Sequence, residues 1–243
     1  MSANLPVIIA LDFPDASTTL NFVRQFPHPE NLFCKVGMEL YYREGPAIVR
    51  DLKDLGVQIF LDLKLHDIPN TVGSAARIIG QLGVTLTTVH ALGGSKMMAA
   101  AKQGILDGAA AAGVAPAKVL AITQLTSTSP AALRDEQQIA TPLPESVTHL
   151  AQLAAQSGLD GVVSSAAEVA AMKPQLSAGF KFITPGIRLK QNQTDDQVRV
   201  MTPDAARRAG SSGIVVGRPI TQAADPVAAY EEIKRLWEEP VHE

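Results

Sequence analysis

Eight short apolar runs alternate with segments of helical periodicity, and this alternation most limits what the chain can fold into. The runs lie at 6–11, 32–36, 57–64, 84–90, 118–125, 161–163, 180–184 and 213–217. Helical spacing of apolar residues follows most of them, at 39–55, 71–82, 96–112, 146–156, 166–172 and 225–237, with a further helix opening at Thr202-Pro203. The third run, at 57–64, is apolar on both faces, which suits a strand covered on both sides, as in a parallel sheet. Eight such units in 243 residues, with no linker, charge run or low-complexity segment between them, predict an α/β protein, a (β/α)8 barrel in one domain over 1–243. A doubly wound open sheet is the structural rival. It normally carries a glycine fingerprint after its first strand, where this chain has Leu11-Asp12-Phe13-Pro14-Asp15. Two stretches read as loops: 130–144, polar and marked by prolines, and 188–200, rich in Gln, Asn and Asp.

Composition narrows the function classes. Hydrophobic residues make up 46% of the chain, enough for a large core, and the formal net charge of -3 gives no basic surface for nucleic acid or anionic membrane. Cys34 is the only cysteine, so neither an intrachain disulfide nor a cysteine metal cluster is expected, and its apolar neighbours predict a packed, buried thiol. No basic-then-apolar leader opens the chain and no apolar run is long enough to span a bilayer, so a reducing cytoplasm is the expected location. The alanine-rich stretches 99–101 and 109–112 read as close helix packing.

The third run carries the densest chemistry. Val57, Ile59 and Leu61 are apolar at period two, Phe60 and Leu63 are assigned to the opposite face, and Asp62 and Lys64, two apart, point to one side. Asp67 follows where the strand ends, and Pro69 stops the strand and can open a helix. On a barrel, strand ends converge, so Asp12, Lys35, Asp62 and Lys64 would meet as a row of alternating sign. Opposite charges within ~4–6 Å hold one another ionised, which keeps Lys64 an ammonium suited to donating a proton rather than a neutral nucleophile. Gly217-Arg218, just after the eighth run, suits a phosphate through a backbone N–H, a guanidinium and a helix start. His66 is expected to have a packing role and His90 to reach the pocket floor. Neither stands in metal-ligand spacing with the acids.

Asp62-x-Lys64-x-x-Asp67 continued as Ile68-Pro69-Asn70-Thr71 resembles the orotidine 5'-phosphate decarboxylase family, in its bacterial form. The likeness runs through Ala10-Leu11-Asp12, Phe33-Cys34-Lys35-Val36-Gly37, Gln124-Leu125-Thr126-Ser127, Thr184-Pro185-Gly186-Ile187-Arg188, Gln197-Val198-Arg199 and Val216-Gly217-Arg218. It implies a TIM barrel that decarboxylates orotidine 5'-phosphate to UMP in pyrimidine biosynthesis, without metal or organic cofactor. It implies that Lys64 protonates C6, that Asp62 faces the departing carboxylate, and that Lys35 and Asp12 hold the ribose hydroxyls. Asp67, Ile68 and Thr71 would reach into the neighbouring subunit's site in a homodimer. Thr126 and Ser127 would meet the pyrimidine edge. Gln197, Gly217 and Arg218 would bind the phosphate, and the stretch from Pro185 through Arg188 to Gln197 would form a lid. Two alternatives stand beside this. One is a Mg-dependent sugar-phosphate decarboxylase or synthase of the same superfamily, against which the Ile68-Pro69-Asn70-Thr71 continuation speaks. The other is a non-catalytic phosphate-binding barrel.

Overall fold

The computed structural model describes residues 7–189 and 201–239. Its elements in chain order are β1 (Val7–Ala10), α1 (Ala16–Val23), β2 (Phe33–Val36), α2 (Met38–Glu44), α3 (Ala47–Asp54), β3 (Gln58–Leu65), α4 (Pro69–Gln81), β4 (Leu86–His90) and α5 (Gly94–Ala112). Then come β5 (Lys118–Ile122), α6 (Pro130–Asp135), α7 (Leu143–Gln156), β6 (Gly161–Val163), α8 (Ala166–Met172), β7 (Lys181–Thr184), α9 (Pro203–Ala209), β8 (Gly213–Val216), α10 (Arg218–Thr221) and α11 (Pro226–Glu238). Every strand pairs in parallel with the next, and β1 pairs with β8, so the sheet closes into the (β/α)8 barrel expected from the alternation.

Period-two alternation sorts the apolar side chains into two cores. Ile8, Ala10, Phe33, Phe60, Leu86, Leu120, Ile183 and Val215 point inward and fill the barrel. Val7, Ile9, Cys34, Val36, Ile59, Leu61, Val89, Val119 and Ile214 point outward and join the helices in the larger outer core. Leu63 belongs with Leu61 in that outer layer, not with Phe60 as assigned above, because odd positions of β3 all face the helices. Cys34 is fully buried, and desolvation pushes its thiol pKa upward, so it packs as an apolar residue.

Local signals set most element ends. The Asp15 carboxylate accepts from Thr18 N at 2.8 Å and caps α1, and Pro69 opens α4. The helix expected over 39–55 is two helices, α2 and α3, because Gly45 (φ 64) takes a left-handed turn and Pro46 follows it. The 130–144 loop holds a short helix, α6, and α7 begins at Leu143 rather than at 146. The alanine-rich α5 packs closely on α4: a Cβ added at Gly104 or Gly108 would collide with the carbonyls of Gly73 and Arg77. No helix among the described residues is long and apolar enough to cross a membrane.

Candidate active site

The inward-facing positions of the first strands change from apolar to charged as each strand nears its C-terminal end. Ile8 and Ala10 give way to Asp12, Phe33 to Lys35, and Phe60 to Asp62 and then Lys64. The Lys35 Nζ lies 3.1 Å from Asp12 Oδ1 and 3.9 Å from Asp62 Oδ2. Lys64 Nζ donates to the same Asp62 Oδ2 at 2.8 Å. The other oxygen of Asp62 accepts from the Thr88 hydroxyl on β4, also at 2.8 Å. Asp62 is only 7% exposed, and two hydrogen bonds, from Lys64 and Thr88, with the more distant Lys35 ammonium compensate its burial. The row of alternating sign therefore closes into one network.

β3 is not a regular strand at this point. Its register with β4 slips between Leu61 and Leu65, and Lys64 has φ 53, in the left-handed region. A non-glycine residue there costs on the order of 1–3 kcal/mol unless its surroundings hold it. Here the Lys64 N–H donates to Thr88 Oγ1 at 3.0 Å, so one hydroxyl fixes both the Asp62 carboxylate and the Lys64 backbone. The two side chains meet on a bulged strand, not through flat alternation alone.

These groups form one wall of a cavity of about 240 Å³. Asp12, Lys35, Asp62, Lys64, Thr126 and Pro185 all line it, so six of the residues singled out in the sequence are brought together. Gln124 and Ser164, which sequence reasoning assigned no role, line it too. Thr88, also missed, stands behind the charged wall. A Cβ built on Gly217 would lie 3.9 Å from Asp12 Oδ2, which puts that glycine beside the rim, and Arg218 opens α10 directly after it. Arg188 is 7% exposed and donates from Nη1 to the Ile187 carbonyl. Its stretch is tied down, because Arg188 N donates to Met201 O and Met201 N to Gly186 O, each at 3.0 Å. Ser127 is exposed and does not line the cavity. Asp67, Ile68 and Thr71 are likewise exposed and outside their own chain's cavity, and the Asp67 carboxylate accepts from Ile68 N. Gln197 lies outside the described residues.

His90 does not line the cavity. Its ring packs on that of His66 with centroids 5.4 Å apart, giving both imidazoles a packing role beside the charged wall. Burial, and then the nearby His66 and Lys64 charges, hold the His90 pKa below the usual imidazole value, partly opposed by Asp62. Among the described residues, no group of three or more His, Cys, Asp or Glu side chains could hold a metal ion.

A protein-family model described as orotidine 5'-phosphate decarboxylase / HUMPS family matches residues 5–233. The orotidine 5'-phosphate decarboxylase of Lactiplantibacillus plantarum is 58% identical over 232 residues, covering 96% of this chain and 98% of that protein. That of Streptococcus thermophilus is 54% identical over 237 residues, covering 98% of this chain and 99% of its own. Among solved structures, an orotidine 5'-phosphate decarboxylase from Lactobacillus acidophilus superposes with a TM-score of 0.87 at 45% identity, covering 96% of this chain and 99% of that one. The enzyme from Pyrococcus horikoshii shares the fold, with a TM-score of 0.75 at 24% identity over 96% of this chain and all of that one.

Proposed function

The chain belongs to the orotidine 5'-phosphate decarboxylase / HUMPS family, and from that membership and the charged cavity we propose how it converts orotidine 5'-phosphate to UMP and CO2. The observation that carries the mechanism is the Asp62 carboxylate, buried and held between Lys64, Lys35 and Thr88 on the cavity wall. Cleavage of the C6–carboxylate bond leaves its electron pair on C6, with no adjacent carbonyl to spread it as an enolate. The site must stabilise that carbanion with charge already in place, and the Lys64 ammonium supplies it. Lys64 then gives a proton from Nζ to C6, completing UMP, and regains one from solvent. Asp62 holds Lys64 in position and faces the departing carboxylate. Lys35 and Asp12 take the ribose hydroxyls. Gly217 and Arg218 take the phosphate, whose binding energy works at a distance from the reacting bond.

The proposal extends to the assembly. Asp67, Ile68 (66% exposed) and Thr71 extend past the charged end of β3 without entering their own cavity, which supports a homodimer whose subunits exchange this piece across a two-fold axis. Residues 1–243 would act as one catalytic domain, and a lone buried thiol suits a reducing cytoplasm.

Loss of orotidine 5'-phosphate, followed by absorbance in EDTA-treated buffer, tests the activity. Sustained turnover is the expected result, and no turnover, or turnover restored only by Mg2+, overturns it. The shared site is tested by mixing Lys64→Ala protein with Asp67→Ala protein. If subunits exchange, half the dimers are mixed and each has one sound site, so about a quarter of wild-type activity should return. Exchange demonstrated by mass spectrometry of tagged chains, with no activity recovered, would place Asp67 in its own subunit's site.

A further inference from the structure

β4 meets the end of β3 through two successive inward positions. Thr88 is the first, accepting from the Lys64 N–H and donating to Asp62. His90 is the second, two residues on and so on the same face of the strand. Past the bulge the two strands pair again at Leu65 and Val89, which makes His66 and His90 neighbours across the strand ends. Their rings lie 5.4 Å apart between centroids and are inclined by 31°. The turn at 91–93 backs the His66 ring, since a Cβ built on Gly93 would lie 3.3 Å from its Cδ2. A left-handed residue such as Lys64 persists only where its surroundings over-determine it. The Thr88 hydroxyl is one restraint on it, and the ring pair two residues later is the second. Asp67 follows His66 directly.

We propose that His66 and His90 are positioning residues for the decarboxylation proposed above: their stacked rings fix the exit of β3, so that Lys64 keeps its ammonium on Asp62 and Asp67 leaves the strand in a set direction. Charge decides whether the hold persists. The charged and titratable groups that bear on His90 are His66, Lys64 and Asp62, all from β3. On its other sides β5 sets Ile122 beside it, the 91–93 turn brings Ala91, Leu92 and Gly93, and α5 carries Lys96, exposed, in its first turn. Burial, then the His66 and Lys64 charges, disfavour a proton on His90, with Asp62 in partial opposition. A protonated His90 would stand as a second cation on the Lys64 face, compete with Lys64 for Asp62 and repel a protonated His66. Its folded pKa lies below the unfolded value, so the unfolded chain takes the proton first, and the hold weakens as pH falls below the ordinary imidazole value of 6.5.

The test uses His66→Ala, His90→Ala, His66→Phe and His90→Phe, each checked for folding by circular dichroism. At about pH 8, where imidazoles are neutral, each Ala variant should lose about three- to tenfold in kcat, the worth of one aromatic pair. The inhibition constant of UMP should stay within about twofold, because positioning acts on the transition state and not on binding. The Phe variants keep a ring and should recover most of the lost kcat. Wild-type kcat at saturating substrate should fall as pH drops toward about 5, and His90→Phe should flatten that fall. Hydrogen exchange at the Lys64 amide should quicken in the Ala variants and slow again in the Phe variants. Folded Ala variants with wild-type kcat, Phe variants no better than Ala, or an acid limb unchanged in His90→Phe would overturn the assignment. Wild-type protein that does not turn over orotidine 5'-phosphate would overturn the activity instead, and the exchange comparison would then decide whether the rings hold Lys64.

Discussion

On the β1–β4 side of the cavity the polar heads are joined within the chain, Asp12 to Lys35, Asp62 to Lys64 and Thr88, and the Lys64 N–H back to Thr88. On the β5–β6 side Gln124 Nε2 and Ser164 Oγ stand without partners. The first wall is complete before any substrate arrives, so it can act on the transition state without reorganising. The second keeps two buried polar atoms unpaired. Substitutions on the first wall should therefore appear in kcat and in stability, and those on the second in KM.

The largest expected effect is that of Lys64→Ala, which removes both the stabilising charge and the proton source. A loss of about 10⁴-fold in kcat follows if general-acid and electrostatic contributions combine. Steady-state rates on protein shown to be folded by circular dichroism check it, and near-normal turnover would break the comparison at its centre. Arg218→Ala comes next. Removing one charged hydrogen-bond partner of the phosphate should raise KM by about 10- to 100-fold, with far less change for a nucleoside substrate that lacks the phosphate. Equal losses for both substrates would show that Arg218 does not read the phosphate. The smallest effect is that of Thr88→Val, which keeps shape but removes the hydroxyl shared by Asp62 and Lys64. It should cost about 1–3 kcal/mol of stability, read from the urea midpoint, and lower kcat by roughly tenfold with KM nearly unchanged, since about 1.4 kcal/mol is a factor of ten. An effect confined to KM would mean that the first wall is not set before binding.

The barrel was legible because eight short, mostly apolar runs alternate with helical segments, a pattern few other settings produce. The charged wall was legible for a related reason: a Lys and an Asp inside such runs have no solvent to retreat to, so they must find each other. Thr88, Gln124 and Ser164 carried no such signal. A Thr, Gln or Ser near a strand end is ordinary, and Thr88 matters only through partners 24 and 26 positions away in the chain. The break between α2 and α3 could have been read from Gly45-Pro46, where helical periodicity simply ran across a turn. The left-handed Lys64 could not, because β-strand alternation has no term for a bulge.

The pairing of Gly186 and Arg188 with Met201 has a consequence for how the protein can change. Both ends of the intervening chain are held at a fixed separation by the barrel side of that ladder. Lengthening the chain between them costs about 0.6 kcal/mol in loop-closure entropy for each doubling. The stability of the barrel and the number of residues between those two anchors are thus nearly independent variables. Insertions, deletions or grafted sequences between 189 and 201 can be selected for what they do to the ligand, with little penalty to folding.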